Sequence, residues 1–172
     1  MEEAPAIAHL EVLRNDARDE IKRRIEQRDK YSIQMTISLA AVIGVAVSKG
    51  GEFQRALIVA PLVALYFTVL ILYSYRIHAL LARYLRDQIE PQLARLCGTP
   101  LVAEWENYYK GHAVPGIRRS FFLTGMWIVD LGSMGYLWFS EDGEPAFRVA
   151  TIVTFALYTV GCATLTWKFW KN

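Results

Sequence analysis

The sequence predicts an all-α integral membrane protein with four transmembrane helices. Hydrophobic residues make up 53% of the 172-residue chain, and they fall into four blocks of about 20 residues, the length that crosses a hydrocarbon core. Charged residues fill the gaps. The blocks lack the alternation of barrel strands, so helices must satisfy their backbone hydrogen bonds in lipid. The blocks are Tyr31–Ser48, Ala56–Tyr75, Ser120–Ser140 and 149–167.

The spacing of the blocks divides the chain, as one membrane domain, into four parts. Residues 1–30 are expected to form a cytoplasmic amphipathic helix, and residues 31–75 a first transmembrane hairpin. Residues 76–119 are expected to form a helical cytoplasmic loop. A second transmembrane hairpin and a short cytoplasmic tail complete the chain over residues 120–172.

The distribution of basic residues predicts the orientation. Sixteen of the 19 Lys and Arg residues lie in the N-terminal segment, the 76–119 loop or the tail, and three lie in the two short loops between paired blocks. Loops rich in Lys and Arg stay in the cytoplasm. We therefore expect a multi-pass protein of the inner (plasma) membrane with both termini in the cytoplasm.

The N-terminal segment carries one apolar stripe at helical spacing. No Gly or Pro separates this helix from the first span, so the helix is expected to continue into the membrane. We favour packing of the stripe against the protein's own cytoplasmic loop, and docking of a second copy or of a cytosolic protein stays open. The stripe consists of Ile7, Leu10, Leu13, Ala17, Ile21 and Ile25. Leu10, Leu13, Ile21 and Trp105 are the candidate cap or partner residues.

Breaker residues organise the cytoplasmic loop. The helical apolar period of the second span continues past Tyr75, and Pro91 is expected to kink or end that helix. Gly98 is expected to end the segment that follows. Thr99 and Pro100 form a favourable helix start, with Thr as the N-cap and Pro at the first helical position. These residues together predict a small helical cap on the cytoplasmic side of the membrane.

Asp130 is the most informative single residue. It lies at the middle of the third block, where a lipid-exposed charge costs about 2.5–3.5 kcal/mol on insertion scales. It must therefore face protein or water. Matched depth suggests a hydrogen bond from Tyr158 or Thr154, with Tyr66 as the next candidate. A buried contact that fixes helix register is the favoured interpretation, and an ion, proton or ligand path is the alternative.

Polar and small residues mark further helix faces. Small residues permit close helix packing, so Ala40, Gly44 and Ser48 in the first span are candidate contact positions within an oligomer. Gly125 and Gly132 are the corresponding candidates in the third span, on a face that Asp130 does not occupy. A polar stripe runs down the fourth block and consists of Thr151, Thr154, Tyr158, Cys162 and Thr166.

The sequence gives little support to catalysis or to cofactor binding. His9, His78 and His112 are isolated from one another, and the chain has no phosphate-binding glycine loop and no nucleophile elbow. We therefore expect no enzyme activity, no metal and no cofactor. Because acidic residues are interspersed with the basic ones, we also expect no nucleic-acid partner.

Short motifs give the chain a family resemblance. A charged N-terminal helix leads into a hairpin, and Arg83-Tyr84-Leu85-Arg86, Ile89-Glu90-Pro91 and Trp105-Glu106 precede a second hairpin. This layout resembles small bacterial four-transmembrane-helix proteins, some of which are similar to the four-helix membrane effectors of prokaryotic conflict (anti-phage) loci. The resemblance implies a protein that assembles in the inner membrane, perturbs it when triggered and serves antiviral defence.

Three functions remain open from the sequence. The favoured one is a non-enzymatic oligomeric effector, a pore- or channel-like assembly controlled through the cytoplasmic cap. The alternative is a membrane anchor or scaffold subunit for a cytosolic partner. A small lipid-modifying enzyme that uses Asp130 or the loop carboxylates is placed last.

Overall fold

The structure is a computed structural model that describes residues 3–49, 51–100, 117–140 and 145–170. Within these ranges every residue is helical except Gly98, Thr99 and Pro100. The elements are helix α1 (Glu3–Lys49), a 3₁₀ segment (Gly51–Ile58), helix α2 (Val59–Tyr84), a π-helical turn (Leu85–Ile89), helix α3 (Glu90–Cys97), helix α4 (Ile117–Ser140) and helix α5 (Pro145–Trp170).

The positions of proline and glycine agree with where α1 and α2 begin and with the continuity of α1. Pro5 lies in the first turn of α1, where its missing N–H has no helical acceptor to lose. No further Pro or Gly interrupts α1 until Gly44. Pro61 has the same position in α2, and the 3₁₀ segment precedes it. The uninterrupted helix expected from the N-terminal segment into the first apolar block is therefore present.

Pro91 leaves a clear mark on the backbone. It has no N–H to bond to the carbonyl of Asp87, and its ring would clash with that carbonyl in an α-helix. The chain widens to the π-helical turn just before Pro91, and the Glu90 N–H bonds to the Leu85 carbonyl, five residues back. The chain then continues as α3, so Pro91 perturbs the helix instead of ending it.

Gly98 ends α3 as expected. Its φ of 64° lies in the left-handed region, which favours glycine because it has no Cβ. The Gly98 and Thr99 N–H groups both donate to the Ala94 carbonyl, the latter at 3.0 Å. The residues that would follow Pro100 in the predicted helix lie outside the described residues, and so does Trp105.

The chain divides into two compact units. Unit 1 comprises Met1–Asp29 and Tyr73–Pro115, and unit 2 comprises Lys30–Leu72 and Gly116–Asn172. In unit 1 the N-terminal stripe packs on the residues around Pro91. Its core consists of Leu10, Ala17, Leu85, Ile89 and Leu93, with Ile7, Leu13, Ile21 and Leu96 packed against it.

Unit 2 contains a helical hairpin with much of its apolar surface exposed. Helices α4 and α5 pack along each other, and both reach the 3₁₀ segment. A core cluster joins Ala46, Leu57, Leu137 and Phe155, with Tyr158 against it. Much of the remaining apolar surface of unit 2 is exposed, including Ile37, Leu131, Leu157 and Trp167.

Three helices among the described residues are long and apolar enough to cross a membrane. They span Ala4–Ser48, Phe53–Cys97 and Phe147–Phe169. In their most apolar stretches 6%, 39% and 11% of the residues, respectively, are buried within the chain. Helix α4, the expected third span, has 24 residues but is not among the three, since Asp130 and several Gly and Ser residues dilute its apolar sequence.

Candidate intramembrane polar site

Asp130 occupies the centre of the buried face of α4. The buried residues of this helix recur at alternating spacings of three and four, which is one continuous stripe on a helix. Asp130 is 1% exposed, so the helix turns its single carboxylate inward, as the cost of exposing it to lipid predicts. The stripe consists of Leu123, Met126, Asp130, Ser133 and Leu137.

Among the described residues, a hydrogen-bond donor reaches one carboxylate oxygen of Asp130 and not the other. The Thr159 hydroxyl of α5 donates to Oδ2 at 3.0 Å. Oδ1 is buried and has no hydrogen-bond partner within the described part of the chain. An unpaired buried polar atom usually costs about 1–3 kcal/mol. Within the described residues the carboxylate is therefore half satisfied, with one unbonded oxygen next to a bonded one.

Two more polar contacts tie α4 to α5, and both lie between Asp130 and the start of α4. Trp127 Nε1 donates to the Thr166 hydroxyl at 3.1 Å, and that hydroxyl donates to the Cys162 carbonyl at 2.8 Å. Nearer the start of α4, the Arg119 guanidinium donates to the Phe169 carbonyl at 3.3 Å. A cation at the last carbonyls of a helix is favourable. These contacts fix an antiparallel register.

The structure places the predicted partners of Asp130 elsewhere. Thr154 donates to the Ala150 carbonyl of its own helix at 2.9 Å. Tyr158 is half-buried, and its ring meets that of Phe155 edge-on at 6.1 Å between centroids. Tyr66 is 58% exposed. The hydrogen bond expected from Tyr158 or Thr154 is therefore replaced by one from Thr159, which matched depth alone does not predict.

The rotation of the helix explains the difference. Neighbouring residues of an α-helix point about 100° apart, so equal depth does not decide whether residue 158 or 159 faces α4. Tyr158 and Cys162 still lie within electrostatic range of Asp130. The predicted stripe of α5 thus borders the site without supplying its donor.

The small-residue faces meet nothing in the described chain. Ala40, Gly44 and Ser48 are exposed, and a Cβ added at Gly44, Gly125 or Gly132 would find no atom within 4 Å among the described residues. They remain candidates for contact with a second copy.

Gly161 makes a close helix approach that the sequence did not reveal. A Cβ built on Gly161 would lie 3.2 Å from a terminal methyl group of Leu65, tighter than ordinary contact. The absent side chain therefore lets α5 approach α2 within unit 2. Gly161 could have been noticed as a glycine inside an apolar block, but its opposing residue follows only from the fold.

A second polar cluster lies in unit 1, around the end of the second apolar block. Arg28 is 6% exposed, and its guanidinium carbon lies 4.2 Å from the centroid of the Tyr75 ring, a cation–π arrangement. Ser74 donates to the Arg24 carbonyl at 3.0 Å. Burial lowers the pKa of His78, and the nearby Arg28 charge lowers that pKa further. His78 Nδ1 is buried without a hydrogen-bond partner in the part of the chain that is described.

Over the residues that the structure describes, these features define an all-helical protein with three membrane-length apolar helices and an inward-facing carboxylate between α4 and α5. The residues that the structure describes contain no group of three metal-ligating side chains. The chain matches no known protein family, no curated protein and no solved structure.

Proposed function

We propose that this chain is a non-enzymatic, homo-oligomeric protein of the inner membrane that acts as a membrane effector. Four helices cross the bilayer: the apolar parts of α1 and α2, then α4 and α5. Unit 1 lies in the cytoplasm, as the positive-inside distribution indicates. The copies form a pore- or channel-like assembly that unit 1 controls.

The half-satisfied Asp130 carries this proposal. Asp130 bonds to Thr159 across the hairpin, and ionisable residues within membrane helices usually mark ion or proton pathways. Asp130 keeps one buried oxygen without a donor among the described residues. Such an oxygen is available to a proton, a cation or a water molecule once the hairpin opens.

The exposed apolar surface supports assembly. Only 6% and 11% of the most apolar stretches of α1 and α5 are buried within the chain, so lipid or other copies must cover the rest. The open faces at Gly44 and Gly125 allow close helix approach, which drives association in membranes through packing.

The packing of unit 1 favours the role of a self-contained cap and disfavours the role of a docking site for a partner. Leu10, Leu13 and Ile21 are packed within the chain's own core. A cytosolic partner would have to displace this core to use the N-terminal stripe, which disfavours the anchor alternative on that surface.

Ion leakage from liposomes tests the proposal. The full-length protein, reconstituted into potassium-loaded liposomes, is expected to release the ion, and Asp130→Asn is expected to change the rate at least about tenfold, which corresponds to about 1.4 kcal/mol. Thr154→Val is the matched control, because that hydroxyl is bonded within its own helix. Tight liposomes with the unmodified protein, together with a cytosolic protein lost on deleting residues 1–30, would instead establish the anchor.

The subunit number tests assembly separately. Gly44→Leu fills an open small-residue face and is expected to lower the mass of the detergent-purified complex. Val47→Leu is the control, since Val47 is already a large exposed residue of the same helix. A monomeric unmodified protein would contradict the oligomeric part of the proposal.

A further inference from the structure

A groove of about 750 Å³ runs between the end of α4 and the first half of α5. This volume falls within the range of about 300–1,000 Å³ that is typical of small-molecule sites. On α5 the groove is lined by Arg148, Thr151 and Ile152, then Phe155 and Ala156, then Thr159 and Val160. On α4 it is lined by residues between Met134 and Phe139.

The length of the groove matches one leaflet of a bilayer. Its α5 wall extends from Arg148 to Val160, and twelve steps of about 1.5 Å give a length of about 18 Å. Half of a hydrocarbon core of about 30 Å is about 15 Å. The groove therefore starts near one membrane surface and ends near mid-bilayer, next to the Asp130–Thr159 hydrogen bond.

Polar groups occur mainly at the surface end of the groove. Arg148 supplies a guanidinium there, and the Thr151 hydroxyl lies one turn deeper. Trp138 and Phe139, 60% and 88% exposed, lie at the same end of the hairpin, where aromatic belts meet lipid headgroups. The remaining polar side chain, Thr159, is already bonded to Asp130.

The Thr151 hydroxyl differs from other threonines of α5. Thr154, Thr164 and Thr166 each donate to the carbonyl four residues back, the usual arrangement for a threonine within a helix. Thr151 Oγ1 is buried and has no partner among the described residues. Because Thr151 lines the groove, rotation about its χ1 angle would direct this unbonded hydroxyl to a ligand acceptor.

We propose that this groove binds one acyl chain of an anionic glycerophospholipid from the adjoining leaflet. The phosphate meets Arg148, which suits a guanidinium. The ester carbonyl accepts a hydrogen bond from Thr151, and the chain lies along Ile152, Phe155 and Val160. With the termini in the cytoplasm, this leaflet is the outer one. The proposal rests on the proposed crossing of α4 and α5, but not on pore or effector activity.

An acyl chain matches the groove better than a helix of a second copy because of the order of its lining groups. The charged side chain, Arg148, lies at the surface end, and the wall below it is mainly apolar. A glycerophospholipid presents the same order, with its phosphate at the membrane surface and its acyl chain below.

Native mass spectrometry of the full-length protein in detergent tests the site. The probes are dioleoyl phosphatidylglycerol, which is anionic, and dioleoyl phosphatidylcholine, which is zwitterionic. Phosphatidylglycerol is expected to bind more tightly. Arg148→Gln is expected to weaken its binding at least about tenfold, and Thr151→Val roughly two- to tenfold, as for charged and neutral hydrogen bonds. Ala156→Trp is expected to abolish binding by filling the groove.

Matched controls lie on the same helix. Thr164→Val removes a hydroxyl that is bonded within α5, and Ala163→Trp adds the same bulk at an exposed position outside the groove. Both controls are expected to retain the lipid. Equal binding by Ala156→Trp and Ala163→Trp would overturn the proposal. A changed subunit number in Ala156→Trp with unchanged lipid binding would make the groove a subunit interface and would also overturn it. Because the readout is lipid mass, absence of ion leakage would leave this inference intact.

Discussion

The hydrogen bond from Thr159 to Asp130 allows a quantitative test of the α4–α5 site. Thr159→Val preserves side-chain shape and removes the donor at 3.0 Å from Oδ2. Asp130 Oδ1 already has no partner in the described chain, so the substitution leaves both carboxylate oxygens without a side-chain donor. We expect a less stable hairpin.

Two estimates bear on the size of this loss. A hydrogen bond to a charged group contributes about 1.5–3 kcal/mol in water-soluble proteins. Hydrogen bonds between membrane helices contribute about 0.6 kcal/mol on average and about 1.7 kcal/mol at most, because unfolded helices in the membrane also find partners. The second estimate applies to buried helices in a bilayer. We therefore expect Thr159→Val to lower the unfolding free energy by about 1 kcal/mol.

A double-mutant cycle isolates this hydrogen bond. In the Asp130→Leu background the Thr159 hydroxyl can turn to its own helix, as Thr154 does. Thr159→Val is then expected to have almost no effect, so the coupling energy equals about 1 kcal/mol. Unfolding free energies measured in bicelles provide the values, with Thr154→Val as the matched control. Equal losses from Thr159→Val in both backgrounds, or a loss no larger than that of Thr154→Val, would refute the assignment.

Three further predictions concern packing and pH. Gly161→Val is expected to destabilise unit 2 because the new side chain would clash with α2. Gly135→Val meets open space, so a smaller loss of stability is expected. Thermal unfolding in detergent compares the two variants. Leu85→Ala removes a fully buried side chain and is expected to lower the unfolding free energy by roughly 2–5 kcal/mol. Leu80→Ala is expected to change it little, because Leu80 is 64% exposed. Chemical denaturation measures both unfolding free energies. Because the pKa of His78 is lowered in the folded protein, the unfolded chain binds the proton first. Stability should therefore decrease as the pH falls from about 6.5 towards the lower folded-state pKa, and His78→Gln should remove this decrease in thermal scans at several pH values.

Each of these three has a result that contradicts it. Equal melting temperatures for the two glycine variants would show that no close helix approach exists at residue 161. An equal loss for the two leucine variants would contradict the packing of the N-terminal stripe on the π-helical turn. An unchanged acid-dependent loss in His78→Gln would assign it to another group.

Features set by local chemistry were predictable from the sequence. The stripe from Ile7 to Ile21 follows from the helical period, and the favoured packing of this stripe on the chain's own loop is present. Gly98 ends a helix because a left-handed residue is needed there. The inward position of Asp130 follows from the cost of a charge in lipid.

Features set by the relative rotation of two helices were not predictable. The donor to Asp130 is Thr159 instead of Tyr158 or Thr154, since a step of one residue turns the side chain by about 100°. The contact of Gly161 with Leu65 also requires knowledge of which helices are neighbours. At Pro91 the sequence predicted a disturbance, but a kink, an end and a π-helical turn all relieve the same clash.

Cysteine labelling tests most directly whether the chain crosses the membrane four times with unit 1 in the cytoplasm. Cys97 is exposed and Cys162 is buried, so the native protein carries one accessible thiol in unit 1. A membrane-impermeant maleimide applied to intact cells is expected to leave Cys97 unlabelled until the membrane is permeabilised. In a Cys97→Ser background, Phe53→Cys and Asp142→Cys are expected to react from outside without permeabilisation. Labelling of Cys97 in intact cells, or protection of Asp142→Cys until permeabilisation, would contradict the four crossings.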